Sequence, residues 1–137
     1  MLFRDAHNLQ QPLIWIGRGL LGLYFVVPGL AKLTDLAGTS EYMAAQAVPL
    51  IPLALGATII LQVGAGGSLM LGWRPQVMAA VLAGLTLLIN LFMHDFWNIT
   101  DAVRQAHETQ NFVKNLAIMA GLMFVAGTPL GKHRIAQ

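Results

Sequence analysis

The sequence predicts an all-α integral membrane protein: a bundle of four helices joined by short loops. Three observations carry that prediction. Hydrophobic residues make up 56% of the 137 and charged residues only 10%, against roughly 25% charged in an ordinary soluble domain. A soluble domain of this size keeps about a third of its chain's surface wet, which eight basic and six acidic side chains could not cover. The apolar excess is aliphatic and small rather than aromatic, with aromatics at 8% and 14 glycines, the composition of helices packed in lipid. Charges then divide the chain into apolar stretches, each near the roughly 20 residues that cross a bilayer.

The first helix is expected over residues 12–32, interrupted by Arg18. It reads as a permanent span, not a cleaved signal peptide. Its apolar part exceeds the usual 7–15 residues of a signal core, no small-x-small site follows, and Arg18 would lie inside that core. The second helix is expected over 49–72, within the uncharged run from Tyr42 to Trp73. Pro49 and Pro52 mark its start, because proline is tolerated in a first turn. Gly72-Trp73-Arg74-Pro75 leaves room only for a tight turn into the third helix, over 75–94. The fourth is expected over 110–130, ending near Thr128-Pro129. No repeat or linker interrupts the chain, so residues 1–137 read as one domain. Gly64 with Ser68, Ala80 with Gly84 and Ala117 with Gly121 are small-x-x-x-small pairs, weak marks of helix packing.

Composition also excludes functions. The formal net charge is +2, too little for a phosphate-binding surface, so no nucleic-acid partner is expected. The chain has no Cys, which excludes disulfides, thiol catalysis, iron–sulfur clusters, covalent haem attachment and thiolate zinc sites. No metal site and no covalently bound cofactor are expected. The distribution of Lys and Arg sets orientation. With both termini cytoplasmic, that side holds Arg4, Arg74, Lys132 and Arg134, with Arg18 reaching toward it. Five of the six acids (Asp35, Glu41, Asp95, Asp101 and Glu108) fall on the opposite side with Lys32, Arg104 and Lys114.

In lipid the informative side chains are the ionisable and polar ones. Arg18 lies about two turns into the first helix. It either snorkels to the cytoplasmic interface or binds a carboxylate, lipid headgroup or ligand. Gln62 falls mid-helix and wants partners, as interhelical glue or as a ligand contact. Lys32 closes the first helix, where a cation suits the helix dipole. His94 and Asp95 close the third. Asn90 shares a face with His94, and Trp97 suits the interfacial aromatic belt. His94 has no second intramembrane His with which to hold a haem. It reads as a donor to a quinone carbonyl or a lipid headgroup, or as a structural interfacial histidine. Lys114 opens the fourth helix, the wrong end for a cation, and so calls for a partner: Asp95, Glu108 or an anionic ligand. Lys32, His94, Asp95, Glu108 and Lys114 would then gather at one non-cytoplasmic rim, able to hold an amphipathic small molecule or to dock another subunit.

Four runs carry a family resemblance. Arg18-Gly-Leu-Leu-Gly-Leu-Tyr-Phe-Val-Val-Pro-Gly-Leu-Ala-Lys32-Leu has an early Arg and a Gly-x-x-Lys-Leu close. Gln62-Val-Gly-Ala-Gly-Gly-Ser-Leu-Met-Leu-Gly72 precedes the Arg-containing turn. His94-Asp-Phe-Trp97 ends the third helix. Asn111-Phe-Val-Lys114-Asn115-Leu-Ala-Ile-Met-Ala-Gly121 begins the fourth. In this order and spacing the chain resembles the DoxX family of small four-helix bacterial membrane proteins, over nearly its whole length. Members often carry Glu where this chain has Gln62. The resemblance implies a bacterial inner-membrane location and a redox neighbourhood. Family members are associated with terminal-oxidase and thiosulfate:quinone oxidoreductase subunits, with thiol-redox partners, or with resistance to quinone stress.

The expected function is therefore a small membrane subunit of a quinone-linked redox assembly, not catalytic alone, that contacts quinone or lipid at the polar rim. His94 and Lys114 would hydrogen-bond quinone oxygens and Asp95 would orient His94. Arg18, Gln62, Trp97 and Lys32 complete the candidate set. Expected partners are membrane lipids, larger membrane or redox subunits, and a second copy of the chain as a homo-oligomer. The alternatives are a non-catalytic accessory subunit or a membrane protein of the quinone or oxidative stress response. A transporter would need a relay of ionisable groups within the membrane, and a soluble bundle would show amphipathic stripes.

Overall fold

The computed structural model describes the backbone of residues 2–129 and the side chains of residues 9–129. Lys132 and Arg134 lie outside the described residues, as do the side chains of Arg4 and Asp5. Helix α1 runs Leu2–Thr34, α2 Leu36–Ala45 and α3 Ile51–Ile60. A π-helical segment Leu61–Ala65 joins α3 to α4, Gly66–Leu71. Helix α5 runs Pro75–Met93, a 3-10 turn covers Phe96–Asn98, and α6 runs Ala102–Gly127. No strand occurs among the described residues.

Four long rods make the bundle: α1, the α3–π–α4 rod, α5 and α6. Residues Leu61 and Gly66 at the joints of the second rod keep right-handed helical angles, so it is one continuous helix. Pro52 stands in its first turn, where its missing N–H has no acceptor to serve. Among the described residues, three stretches are long and apolar enough to cross a membrane: Leu9–Thr34, Ile51–Leu71 and Pro75–Asn98. The 26 residues of α6 span about 39 Å at 1.5 Å each, also enough to cross. Its first half, however, carries Arg104, His107, Glu108 and Lys114.

That helix begins about two turns before the expected residue 110. Asp101 caps it, its Oδ1 accepting from Arg104 N at 2.8 Å, the side-chain service that a free first-turn N–H requires. Lys114 therefore stands three turns inside α6, and its expected position against the dipole does not hold. Helix α2 is an element the four-span reading did not contain. Asp35 caps it, accepting from Gly38 N at 2.9 Å. Met43 anchors it by burial.

The core is built where the rods meet. Phe25 of α1, Leu69 of α4, Leu82 of α5 and Leu122 of α6 are buried together. In lipid such packing gains dispersion contacts more than water release. Helix α1 lies closest to α4 at Gly22 and Gly66. A Cβ on Gly66 would meet Gly22 O at 3.0 Å and Phe25 Cβ at 3.1 Å. The small-x-x-x-small pairs singled out from sequence do not make this contact. Gly64 and Gly84 face open space, and Gly121 has ordinary contact with Leu21. The turn after α4 is tight because Gly72 adopts φ +75°. Trp73 N bonds Ser68 O at 2.9 Å and Gly72 N bonds Leu69 O at 3.2 Å, closing the helix end with the paired bonds a left-handed residue permits.

Candidate functional site

A cavity of about 580 Å³ opens at the α1 C-terminal end of the bundle, walled by α1, α2, the α3–π junction, α5 and α6. That volume lies within the roughly 300–1,000 Å³ of small-molecule sites. Phe25, Ile89 and Met93 supply apolar wall, while Lys32, Gln62, His94 and Asn115 supply polar groups.

Lys32 reaches its place from the last turn of α1. Its Nζ donates to Gln62 Oε1 at 3.1 Å and to Pro28 O at 3.4 Å. Both acceptors are neutral, and among the described residues Lys32 forms no salt bridge. An ammonium carries three donors, so one remains for something else. Gln62 is buried and lies in the π segment. Such a segment inserts one residue into the helical register and often marks a functional position. Glycine at position 29 admits this approach: a Cβ there would come within 2.9 Å of both Gln62 Cβ and Val63 Cγ2.

His94 caps the C-terminus of α5. Its Nδ1 meets Glu108 Oε2 of α6 at 2.6 Å, and Asn111 Nδ2 donates to the same oxygen at 3.3 Å. Burial would raise the Glu108 carboxyl. The hydrogen bonds from His94 and Asn111, with the positive charge of His94 and His107, outweigh burial and hold it below the usual carboxylate range. An ionised Glu108 can only accept, so His94 donates to it from Nδ1–H, which leaves Nε2 as the nitrogen free for other partners. Tyr42 of α2, also in the cavity wall, is pushed up by burial and then by the negative charges of Glu108 and Asp95, against the effect of Gln46 and Arg104. Its hydroxyl therefore stays protonated at neutral pH.

A third polar group crosses the bundle. Tyr24 Oη donates to Asn115 Oδ1 at 2.7 Å, Asn115 Nδ2 donates to Asn90 Oδ1 at 2.8 Å, and Asn90 Nδ2 donates to Phe112 O at 3.1 Å. Asn90 and Asn115 are buried, and each is satisfied, as low-dielectric burial demands. The chain ties α1 to α6 and α6 to α5.

Lys32, Gln62 and His94 thus share one cavity. The other sequence candidates do not line it. Lys114 is exposed and bonds Asn111 Oδ1 at 3.2 Å; neither Asp95 nor Glu108 is its partner. Asp95 accepts from Asn98 Nδ2 at 2.9 Å, so Glu108, not Asp95, orients His94. Trp97 stacks edge-on with Phe96 and Phe112 at 5.3 and 5.9 Å and is half exposed. Arg18 lies at the opposite end of the bundle, its guanidinium against the Gly72 turn: a Cβ on Gly72 would meet Nη2 at 2.7 Å. That places a cation at the C-terminus of α4, where the helix dipole favours it. The buried Nε of Arg18 has no partner among the described residues.

Tyr24 and Asn115 escaped sequence reasoning. Tyr24 reads as one more lipid-facing aromatic, and Asn115 as a boundary residue of the fourth helix. The i, i+4, i+8 spacing of Tyr24, Pro28 and Lys32 was the available signal, since it sets all three on one face of α1.

Comparison with known proteins agrees with this architecture. The DoxX family model matches residues 13–95. The chain is 33% identical over 128 residues to "Inner membrane protein YqjF" of Escherichia coli (strain K12), covering 93% of this chain and 92% of that protein. It is 30% identical over 128 residues to "Inner membrane protein YphA" of the same organism, covering 93% and 90%. No solved structure matches. With most of the first three rods under the family model and full-length relatives of the same kind, the chain belongs to the DoxX family of multi-pass membrane proteins.

Proposed function

We propose that the chain is a quinone-binding membrane subunit of a redox assembly, set in the bacterial inner membrane with both termini cytoplasmic and the cavity at the non-cytoplasmic rim. One observation carries the reading: an apolar-walled cavity whose polar groups include a cation held only by neutral acceptors. A quinone or quinol ring fits that chemistry. Its faces suit Phe25, Ile89 and Met93, and one ring oxygen would take the remaining Lys32 donor. His94 would serve the other side. With Nδ1–H given to Glu108, it exchanges a proton at Nε2, as the interconversion of quinone and quinol requires. Lys32 thus takes the role expected of Lys114, and Glu108 that expected of Asp95.

Electrons would come from elsewhere. The chain has no Cys to hold an iron–sulfur cluster, so a partner subunit carrying a flavin or metal cofactor would supply or accept them. The experiment is purification from gently solubilised membranes, with quinone quantified by mass spectrometry per mole of protein. Replacing Lys32 and His94 together by Ala should reduce bound quinone at least tenfold, because each change removes a hydrogen bond inside a dry site. Quinone content equal to that of the unaltered protein would overturn the proposal.

A further inference from the structure

One backbone carbonyl fixes the direction of every hydrogen bond in the Tyr24–Asn115–Asn90 chain. Phe112 O can only accept, so Asn90 must turn its Nδ2 toward it, at 3.1 Å. Asn90 then presents Oδ1 to Asn115, which must answer with Nδ2, at 2.8 Å. Asn115 is left with Oδ1 for Tyr24, whose hydroxyl must donate, at 2.7 Å. An isolated Asn could be flipped end for end. Here each flip would oppose two acceptors or two donors, so none is free to turn. Tyr24 has a single hydroxyl proton, and Asn115 takes it. Any further group that meets the Tyr24 oxygen must therefore be a donor.

The same reasoning fixes the opposite pole. Lys32 is donor-only. Its Nζ folds back to Pro28 O at 3.4 Å, and Pro28 is one turn from Tyr24 on the same face of α1. Tyr24, Pro28, Lys32 and Asn115 all line the cavity. The wall thus pairs an obligate acceptor at Tyr24 with an obligate donor at Lys32.

We infer that the cavity is built for the reduced, hydroxyl-bearing form of its ligand: a hydroquinone whose one hydroxyl donates to Tyr24 Oη and whose other oxygen accepts from Lys32 Nζ. A quinone has acceptors alone, so one of its carbonyl oxygens would face the Tyr24 lone pairs with no proton between them. This deepens the proposed function and rests on it. A tenfold preference for the reduced form raises the two-electron midpoint potential of the bound couple by about 30 mV, which makes the site a place where quinone is the better oxidant.

The test is anaerobic equilibrium dialysis of the full chain in detergent micelles, with a decyl-chain dimethoxybenzoquinone and its hydroquinone as probes. The hydroquinone should bind about tenfold or more tightly than the quinone, since the quinone sets a carbonyl oxygen against the Tyr24 oxygen with no proton between them. Tyr24→Phe should erase that difference and leave quinone affinity within about twofold. The two probes on the unaltered protein decide the matter even if the variant does not fold. Quinone binding equal to or tighter than hydroquinone overturns the inference and leaves the proposed function standing. No binding of either probe overturns the proposed function itself.

Discussion

His94 and Glu108 come from different helices and meet at 2.6 Å, so their pairing stabilises the α5–α6 junction as well as orienting the imidazole. Glu108 is held below the usual carboxylate range, which fixes the sign of its pH dependence. A carboxylate whose pKa is lower in the folded state than in the unfolded chain adds stability above the unfolded value. That stability is lost as the pH falls through the folded value. Glu108→Gln should therefore lower the melting temperature in detergent by a few degrees at neutral pH. The gap to the unaltered protein should close once the pH drops below the ordinary carboxylate range. A gap that stays constant down to strongly acid pH would show that the charge of Glu108 contributes nothing to stability. At this scale His94, Lys32 and Gln62 are legible in the sequence because polar side chains in an apolar helix need partners. Their partners are not, because Asp95 is the sequence neighbour of His94 while Glu108 lies 14 residues away on α6, and only the packing of α6 against α5 brings it to His94.

Between elements, the closest approach is α1 against α4, made possible by two residues without side chains. A Cβ on Gly22 would overlap Gly66 O and the Met70 side chain, and the carbonyl cannot move without bending the rod. Gly22→Ala should destabilise the protein by about 1–3 kcal/mol, the usual cost of overpacking. That should appear as a melting temperature lowered by several degrees, whereas Gly64→Ala, with open space around its Cβ, should leave it within a degree or two. Equal effects of the two changes would mean that the α1–α4 contact is not the close one. The four rods were readable because a bilayer demands long apolar runs. Helix α2 was not, since its ten residues are too few to span and include Gly38, Thr39 and Ser40. Its cap at Asp35 was nonetheless a local signal of the kind that also announces α6 at Asp101. The π segment left no mark in composition, because one inserted residue within an evenly apolar rod changes no pattern that hydropathy can register.

For the whole molecule, the division of charge between the two ends is the feature with the widest consequence. The cavity end collects Lys32, Asp35, Glu41, His94, Asp95, Asp101, Arg104 and Glu108, while the other end presents Arg18 and Arg74 around the Gly72 turn. Basic residues at the short turn favour retention on the cytoplasmic side, while the cavity end carries Lys32 and Arg104 among its acids. Arg18 lies at the same end as Arg74, against the C-terminus of α4, so the first rod and the turn place their cations together. A chain with no Cys allows a direct measurement, because a single introduced thiol is the sole target of a maleimide. Thr100→Cys, in the exposed loop before α6, should be labelled by a membrane-impermeant maleimide on intact spheroplasts. Gln76→Cys, at the start of α5 beside the Arg74 turn, should be labelled only after the membrane is broken. The reverse pattern would invert the bundle, put the cavity on the cytoplasmic side, and require that any partner delivering electrons to it work from the cytoplasm.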